Sequence, residues 1–127
     1  MEKVIAKMSR IFIVDDEQDV RILYEKMLRL KGFDVFPSAK TGKEAIKMFN
    51  NFNPKPDIIL MDCLMPGING LEAMREILKL NYGTKIIMIS SDATVKQEAL
   101  KVGAKKFLDK TVSMVELLKA LKDVLNE

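Results

Sequence analysis

Short runs of consecutive apolar, β-favouring residues alternate along the chain with stretches whose apolar residues recur every three or four positions, and this alternation leaves few folds open. Residues 11–14 (Ile-Phe-Ile-Val) are the first run and stop at Asp15. From Val20, apolar residues fall at Leu23, Tyr24, Met27 and Leu28, a helical spacing that Gly32 closes. Residues 33–36 read as a second strand, stopped by Pro37. Thr41 and Glu44 have the spacing of a capping box and open a helix carrying Ile46, Met48 and Phe49, broken by Asn53-Pro54-Lys55-Pro56. The third strand, residues 57–61, holds Ile58-Ile59-Leu60-Met61, apolar on both faces. After a loop at residues 64–67, a helix sets Leu71, Met74, Ile77 and Leu78 on one side and ends near Gly83. Residues 85–89 form another doubly apolar strand, residues 94–102 a shorter helix closed by Gly103, and residues 105–109 the last strand. Ser113 and Glu116 are a second capping box, and the final helix places Met114, Leu118, Leu121 and Leu125 inward.

The pattern is strand then helix, five times over. Strands joined by helical crossovers pair in parallel, and runs apolar on both faces need a sheet covered on both sides. The expected fold class is therefore α/β: an open, doubly wound sheet of five parallel strands, too few for an eight-stranded barrel. At 127 residues, 48% hydrophobic and 31% charged, the chain suits one ordered domain without staples. The net charge of +3 is spread through the helices rather than gathered with aromatics, which speaks against direct nucleic-acid binding. No run reaches the length of a membrane span and no signal peptide stands at the start. Cys63 is the single cysteine, so no internal disulfide forms and a reducing cytoplasm is the simpler setting. The absence of histidine excludes a histidine base and argues against zinc.

Open α/β sheets bind ligands beyond the carboxyl ends of their strands. There the first strand ends in Asp15-Asp16-Glu17, the third in Asp62, the fourth in Ser90-Ser91 and the fifth in Asp109-Lys110-Thr111. Each feature has an ordinary use when alone: an acidic first turn matches a helix dipole, an aspartate forms a turn, a lysine is solvated. Together they bring carboxylates, a hydroxyl and an amine to one edge. Crowded carboxylates repel unless a cation neutralises them, and Mg²⁺ takes one or two carboxylates with water and phosphate. An amine and a hydroxyl beside it suit phosphate oxygens, and a carboxylate can itself be a nucleophile.

These residues resemble the receiver domain of two-component response regulators, the CheY-like family. Val14-Asp15-Asp16-Glu17 looks like its acidic start, and residues 61–70 (Met-Asp-Cys-Leu-Met-Pro-Gly-Ile-Asn-Gly) like its phosphoacceptor motif. Residues 87–90 resemble the strand with the switch hydroxyl, and Gly103-Ala104 with residues 107–110 the segment with the switch aromatic and the lysine. The resemblance implies a flavodoxin-like (βα)5 fold of strand order 2-1-3-4-5 over residues 9–127, with residues 1–8 a tail or an extension of the first strand. It implies that Asp62 accepts a phosphoryl group from a histidine kinase or a histidine phosphotransfer protein. Mg²⁺ (or Mn²⁺) would be held by Asp16 and Asp62, by Asp15 mainly through water, and by the backbone carbonyl of Leu64. Lys110 would pair with Asp62 and then with phosphate. Ser90 and Phe107 would be the switch residues, and the surface of the fourth helix, fifth strand and fifth helix would change shape. Such a domain is a switch, not an enzyme, catalysing only its own phosphorylation and dephosphorylation. As the chain closes after its fifth helix, a separate effector would read it: a chemotaxis-type motor switch or the next protein of a phosphorelay. The protein would be cytoplasmic, a monomer or weak dimer, without membrane or direct nucleic-acid contact.

Two departures from the family pattern matter. Thr111 follows the lysine where members usually have proline, often after a cis bond; a cis bond before threonine would cost about 2.5–4 kcal/mol. Lys110 is nonetheless expected to reach Asp62. Leu64, two residues past Asp62, has no polar group to orient water, which implies slow loss of the phosphoryl group. Cys63 should project away from its neighbour Asp62 as a packed thiol. Two other classes stand beside the switch: a pseudo-receiver, which would lack an acidic ligand, the acceptor aspartate or the lysine, and a metal-dependent hydrolase, which would need a substrate pocket and a further base.

Overall fold

The computed structural model describes residues 9–65, 67 and 69–127, and the expectation for residues 1–8 lies outside them. Its elements are β1 (Arg10–Val14), α1 (Gln18–Leu30), β2 (Asp34–Val35), α2 (Gly42–Asn51), β3 (Ile58–Asp62), α3 (Gly70–Lys79), β4 (Lys85–Ser90), a 3₁₀ turn (Ala93–Val95) running into α4 (Lys96–Val102), β5 (Lys106–Asp109) and α5 (Met114–Leu125). All strands pair in parallel in the order β2-β1-β3-β4-β5, as the resemblance implied. The order reverses between β1 and β3, which places the crevice at their carboxyl ends.

The doubly apolar strands feed two cores. Phe12, Val14, Ile59, Met61, Ile86 and Met88 face α2, α3 and α4, where Ala45, Phe49, Met74, Ile77 and Ala99 meet them. Ile11, Ile13, Ile58, Leu60, Ile87 and Ile89 face α1 and α5, against Tyr24, Leu28, Leu117, Leu121 and Val124. Alternation along each strand sends successive side chains to opposite layers. Each fully buried aliphatic side chain contributes about 1.5–3 kcal/mol of burial. This two-sided covering fixes β1, β3 and β4 and hence the positions of their tips.

Several local expectations need correction. The second strand is two residues, not residues 33–36. Phe33 N–H still closes on Leu28 O at the end of α1, and Phe36 N–H alone reaches Ile11 O (2.8 Å). Thr41 caps α2 by accepting Glu44 N–H, but Glu44 Oε1 takes Lys40 N–H rather than the cap residue's own, so the reciprocal box is incomplete. At α5 both halves of the Ser113–Glu116 box are present. The inward stripe of α5 is centred on Leu117, Ala120, Leu121 and Val124, and Met114, Leu118 and Leu125 flank it half-buried. Leu23 of α1 is 54% exposed, because Tyr24 and Leu28 occupy the centre of that helix's inner face. The fourth helix begins as a tighter turn because Asp92 Oδ1 takes both the N–H and the hydroxyl of Thr94. The third helix stops at Lys79, and Asn81 (φ 57°) and Gly83 (φ 80°) turn the chain back into β4. Among the described residues no helix is long and apolar enough to cross a membrane.

Candidate functional site

Buried β1 stops at Val14 and releases Asp15 and Asp16 at the switch point; buried β3 carries Asp62 as its own last residue. One oxygen from each of Asp15, Asp16 and Asp62 lies within 4.8 Å of the others. Asp15 and Asp62 are buried, whereas Asp16 faces solvent. Local bonds hold the first carboxylate: Asp15 Oδ1 accepts Glu17 N–H (2.8 Å), and the Asp15 carbonyl accepts from Arg21 Nη1 (2.7 Å).

Lys110 enters from the tip of β5. Its Nζ lies 3.2 Å from Asp62 Oδ2, 3.3 Å from Asp15 Oδ2 and 2.8 Å from Glu17 Oε1. The Lys110–Thr111 peptide is trans, since the cis bond among the described residues is Asn53–Pro54. The amine thus comes to Asp62 without the isomer that family members often use. Asp62 Oδ1 accepts Leu64 N–H (3.3 Å), so both oxygens of this carboxylate are engaged.

The charges do not balance. Burial, and then the neighbouring Asp15 carboxylate, push the Asp62 carboxyl from 3.8 up to about 6, despite Lys110. Burial raises Asp15 too, against the pull of its bond from Glu17 and of Lys110. Burial alone would lower Lys110, but the bond to Glu17 and the charges of Asp15 and Asp62 outweigh it and hold the ammonium above its usual range. One ammonium therefore faces several carboxylates, two of them buried. Hard oxygen donors at this spacing, with a residual negative charge, fit a small divalent cation.

Of the other anticipated residues, Ser90 is buried at the tip of β4, one residue beyond Ile89, which is in register with Asp62. Its Oγ accepts Asp92 N–H (3.1 Å), so the hydroxyl is engaged within its own loop. Phe107 is half-buried against the α2–α4 layer. Leu64 is 50% exposed beside the carboxylates. Cys63 is buried in the α2–α4 layer, and burial, then the charge of neighbouring Asp62, raises its thiol.

Two residues went unsingled in the sequence. Glu17 holds Lys110 at the shortest of its distances, and its place in the acidic run was the available signal. Gly70 brings the first turn of α3 onto the loop after β3: its N–H donates to Cys63 O (2.9 Å), and a Cβ there would overlap Asp62 O and stand 2.8 Å from Cys63 Cα. That need for close approach is invisible before the fold is known.

Comparison with known proteins agrees with this geometry. The family model described as the response regulator receiver domain matches residues 11–122. The chain is 35% identical over 118 residues to the chemotaxis protein CheY of Thermotoga maritima, covering 91% of this chain and 97% of that protein. It is 32% identical over 119 residues to CheY of Bacillus subtilis, covering 92% and 98%. Among solved structures, the response regulator TrrA of Thermotoga maritima, in complex with Mg²⁺ and BeF, is 32% identical with a TM-score of 0.82, covering 92% of this chain and 99% of that one. A CheX–CheY–BeF3–Mg²⁺ complex from Borrelia burgdorferi is 26% identical with a TM-score of 0.85, covering 91% and 88%. The chain belongs to the response regulator receiver domain family of two-component signalling.

Proposed function

We propose that Asp62 is the phosphoacceptor of this receiver domain, charged by a phosphohistidine on a histidine kinase or a histidine phosphotransfer protein. The observation that carries the reading is the meeting of Asp15, Asp16 and Asp62 with Lys110 Nζ at the switch point of the sheet. Phosphoryl acceptance is the general work of the family. Here an Asp62 oxygen forms the new P–O bond while the P–N bond to the donor imidazole breaks, and the imidazole leaves with the electron pair and takes up a proton.

Asp15, Asp16, Asp62 and the backbone carbonyl of Leu64 would hold Mg²⁺, the ion present in the TrrA and CheX–CheY complexes. When bound, that ion supplies neutralisation of the charge spread over the phosphoryl oxygens. The chain's own residues do the rest. Leu64 N–H and Lys110 orient the carboxylate, and Lys110 then turns from Asp62 to a phosphoryl oxygen. Ser90 exchanges its bond from Asp92 for one to the phosphoryl group, and Phe107 follows into the space released. The new charge biases a two-state element, and α4, β5 and α5 present the changed surface. The domain turns over nothing but its own phosphoryl group.

The partner that reads the changed surface is, on this reading, a motor switch as in chemotaxis or the next member of a phosphorelay. The likeness to CheY proteins, at 35% and 32% identity, favours the first. The test is to add Mg²⁺ and acetyl phosphate and measure intact mass. Wild type should gain one phosphoryl group and Asp62→Asn none; an unlabelled wild type, or a labelled variant, ends the proposal.

A further inference from the structure

A lysine side chain has four rotatable bonds, so where its ammonium rests depends first on how firmly its backbone is held. Lys110 leaves β5 at the head of a loop, and hydrogen bonds bracket it on both sides. Its own N–H donates to Ser90 O (3.0 Å), tying it to the tip of β4. Across it, Asp109 Oδ1 accepts both the N–H of Thr111 (2.9 Å) and its hydroxyl (2.7 Å). The Asp109 carbonyl accepts Val112 N–H (2.9 Å) and closes the turn.

Asp109 and Thr111 are both exposed, and neither belongs to either core layer. Their mutual bonds are therefore not a by-product of packing. A carboxylate that spans the residue between it and its partner restricts the φ and ψ of that middle residue, as side-chain-to-backbone turns do. Thr111 has the N–H that the family's usual proline lacks, so this chain restrains the same loop by bonding rather than by a ring.

We propose that Asp109 and Thr111 are positioning residues for Lys110, forming a side-chain clamp that fixes its backbone so that its ammonium is delivered to Asp62. The proposal rests on the phosphoacceptor reading for its effect on rate, but the clamp itself is a statement about Lys110 alone. It is tested on the full chain with Asp109→Ala, Asp109→Asn and Thr111→Val, by phosphorylation from acetyl phosphate with Mg²⁺, by melting temperature, and by NMR of the Lys110 Cε and Nζ signals in metal-free protein. Losing both bonds in Asp109→Ala is expected to slow phosphorylation about tenfold, and losing the hydroxyl's alone in Thr111→Val to slow it by a smaller factor. The Lys110 signals should move toward those of a free lysine while the melting temperature stays near wild type. Asp109→Asn keeps the acceptor oxygen and should recover most of the rate and the wild-type Lys110 signals. Unchanged Lys110 signals in Asp109→Ala overturn the clamp, as does an Asp109→Asn variant as impaired as the alanine. If wild type itself takes no phosphoryl group, the phosphoacceptor reading falls, and the NMR comparison still decides the clamp.

Discussion

At the scale of single residues, the free energy of the site is set by a carboxylate kept where ionisation is unfavourable. The Asp62 carboxyl stands at about 6 in the fold against an ordinary 3.8. Below pH 4 both folded and unfolded chains hold the proton, and the fold bears no penalty. Between these values the unfolded chain ionises first; above 6 the fold carries the charge at full cost. Stability from this group is thus present below pH 4 and lost as pH rises through 6. Asp62→Asn escapes that cost and keeps an oxygen for Lys110. Without metal it should be more stable than wild type at pH 7 by roughly 1–3 kcal/mol, a gap that narrows to under about 1 kcal/mol at pH 4. Urea titrations in EDTA at both pH values check this, and a less stable variant at pH 7 refutes it. Leu64 offers a kinetic counterpart. With an apolar, half-exposed side chain beside the proposed acceptor, wild type should lose its phosphoryl group slowly, and Leu64→Asn should shorten the lifetime measured by the decay of phosphorylated mass.

Elements show what a sequence discloses and what it conceals. Residues 58–61 and 86–89 announced central strands because only a sheet covered on both faces tolerates such runs, and the acidic and basic tips followed from where those strands stop. The length of β2 was not legible, since Phe33 is still held by Leu28 O at the end of α1 and β1 runs on to Val14 beyond the last paired residue, so the apolarity of residues 33–36 did not set it. The inner face of α5 was read one residue out of phase, because Leu117 and Leu118 are equally apolar and only the tilt against the sheet chooses between them. Glu17 and Gly70 escaped for a related reason: one acts through the distant Lys110, the other through how closely α3 folds back on the loop after β3. Helix starts carry their own expectations. Ser113→Ala removes a complete capping box and should cost about 1 kcal/mol in chemical denaturation. Gly70→Ala must push the first turn of α3 off the backbone of Asp62 and Cys63. It should cost about 1–3 kcal/mol and slow phosphorylation as Asp62 shifts; a variant of native stability and rate would contradict the contact.

Across the whole molecule, a cation taken up by the acid cluster as proposed would couple folding to its concentration. Any ion bound by the fold and not by the unfolded chain adds stability, about 2.7 kcal/mol at a hundred times its dissociation constant. Mg²⁺ should therefore raise the melting temperature at pH 7.5. Its effect should shrink at pH 5, where Asp62 retains its proton and competes with the ion. Scanning calorimetry with and without Mg²⁺ at the two values checks this; an equal shift at both would remove Asp62 from the ion's binding. The flanks of the sheet carry a different consequence. Parallel sheets with long open borders invite lateral growth into fibrils. Here one border is a two-residue strand and the other starts with a lysine whose ammonium is drawn aside to Asp123. The first is too short for a neighbour's strand to seat and the second opens on a charge, so the architecture itself resists polymerisation through strand edges.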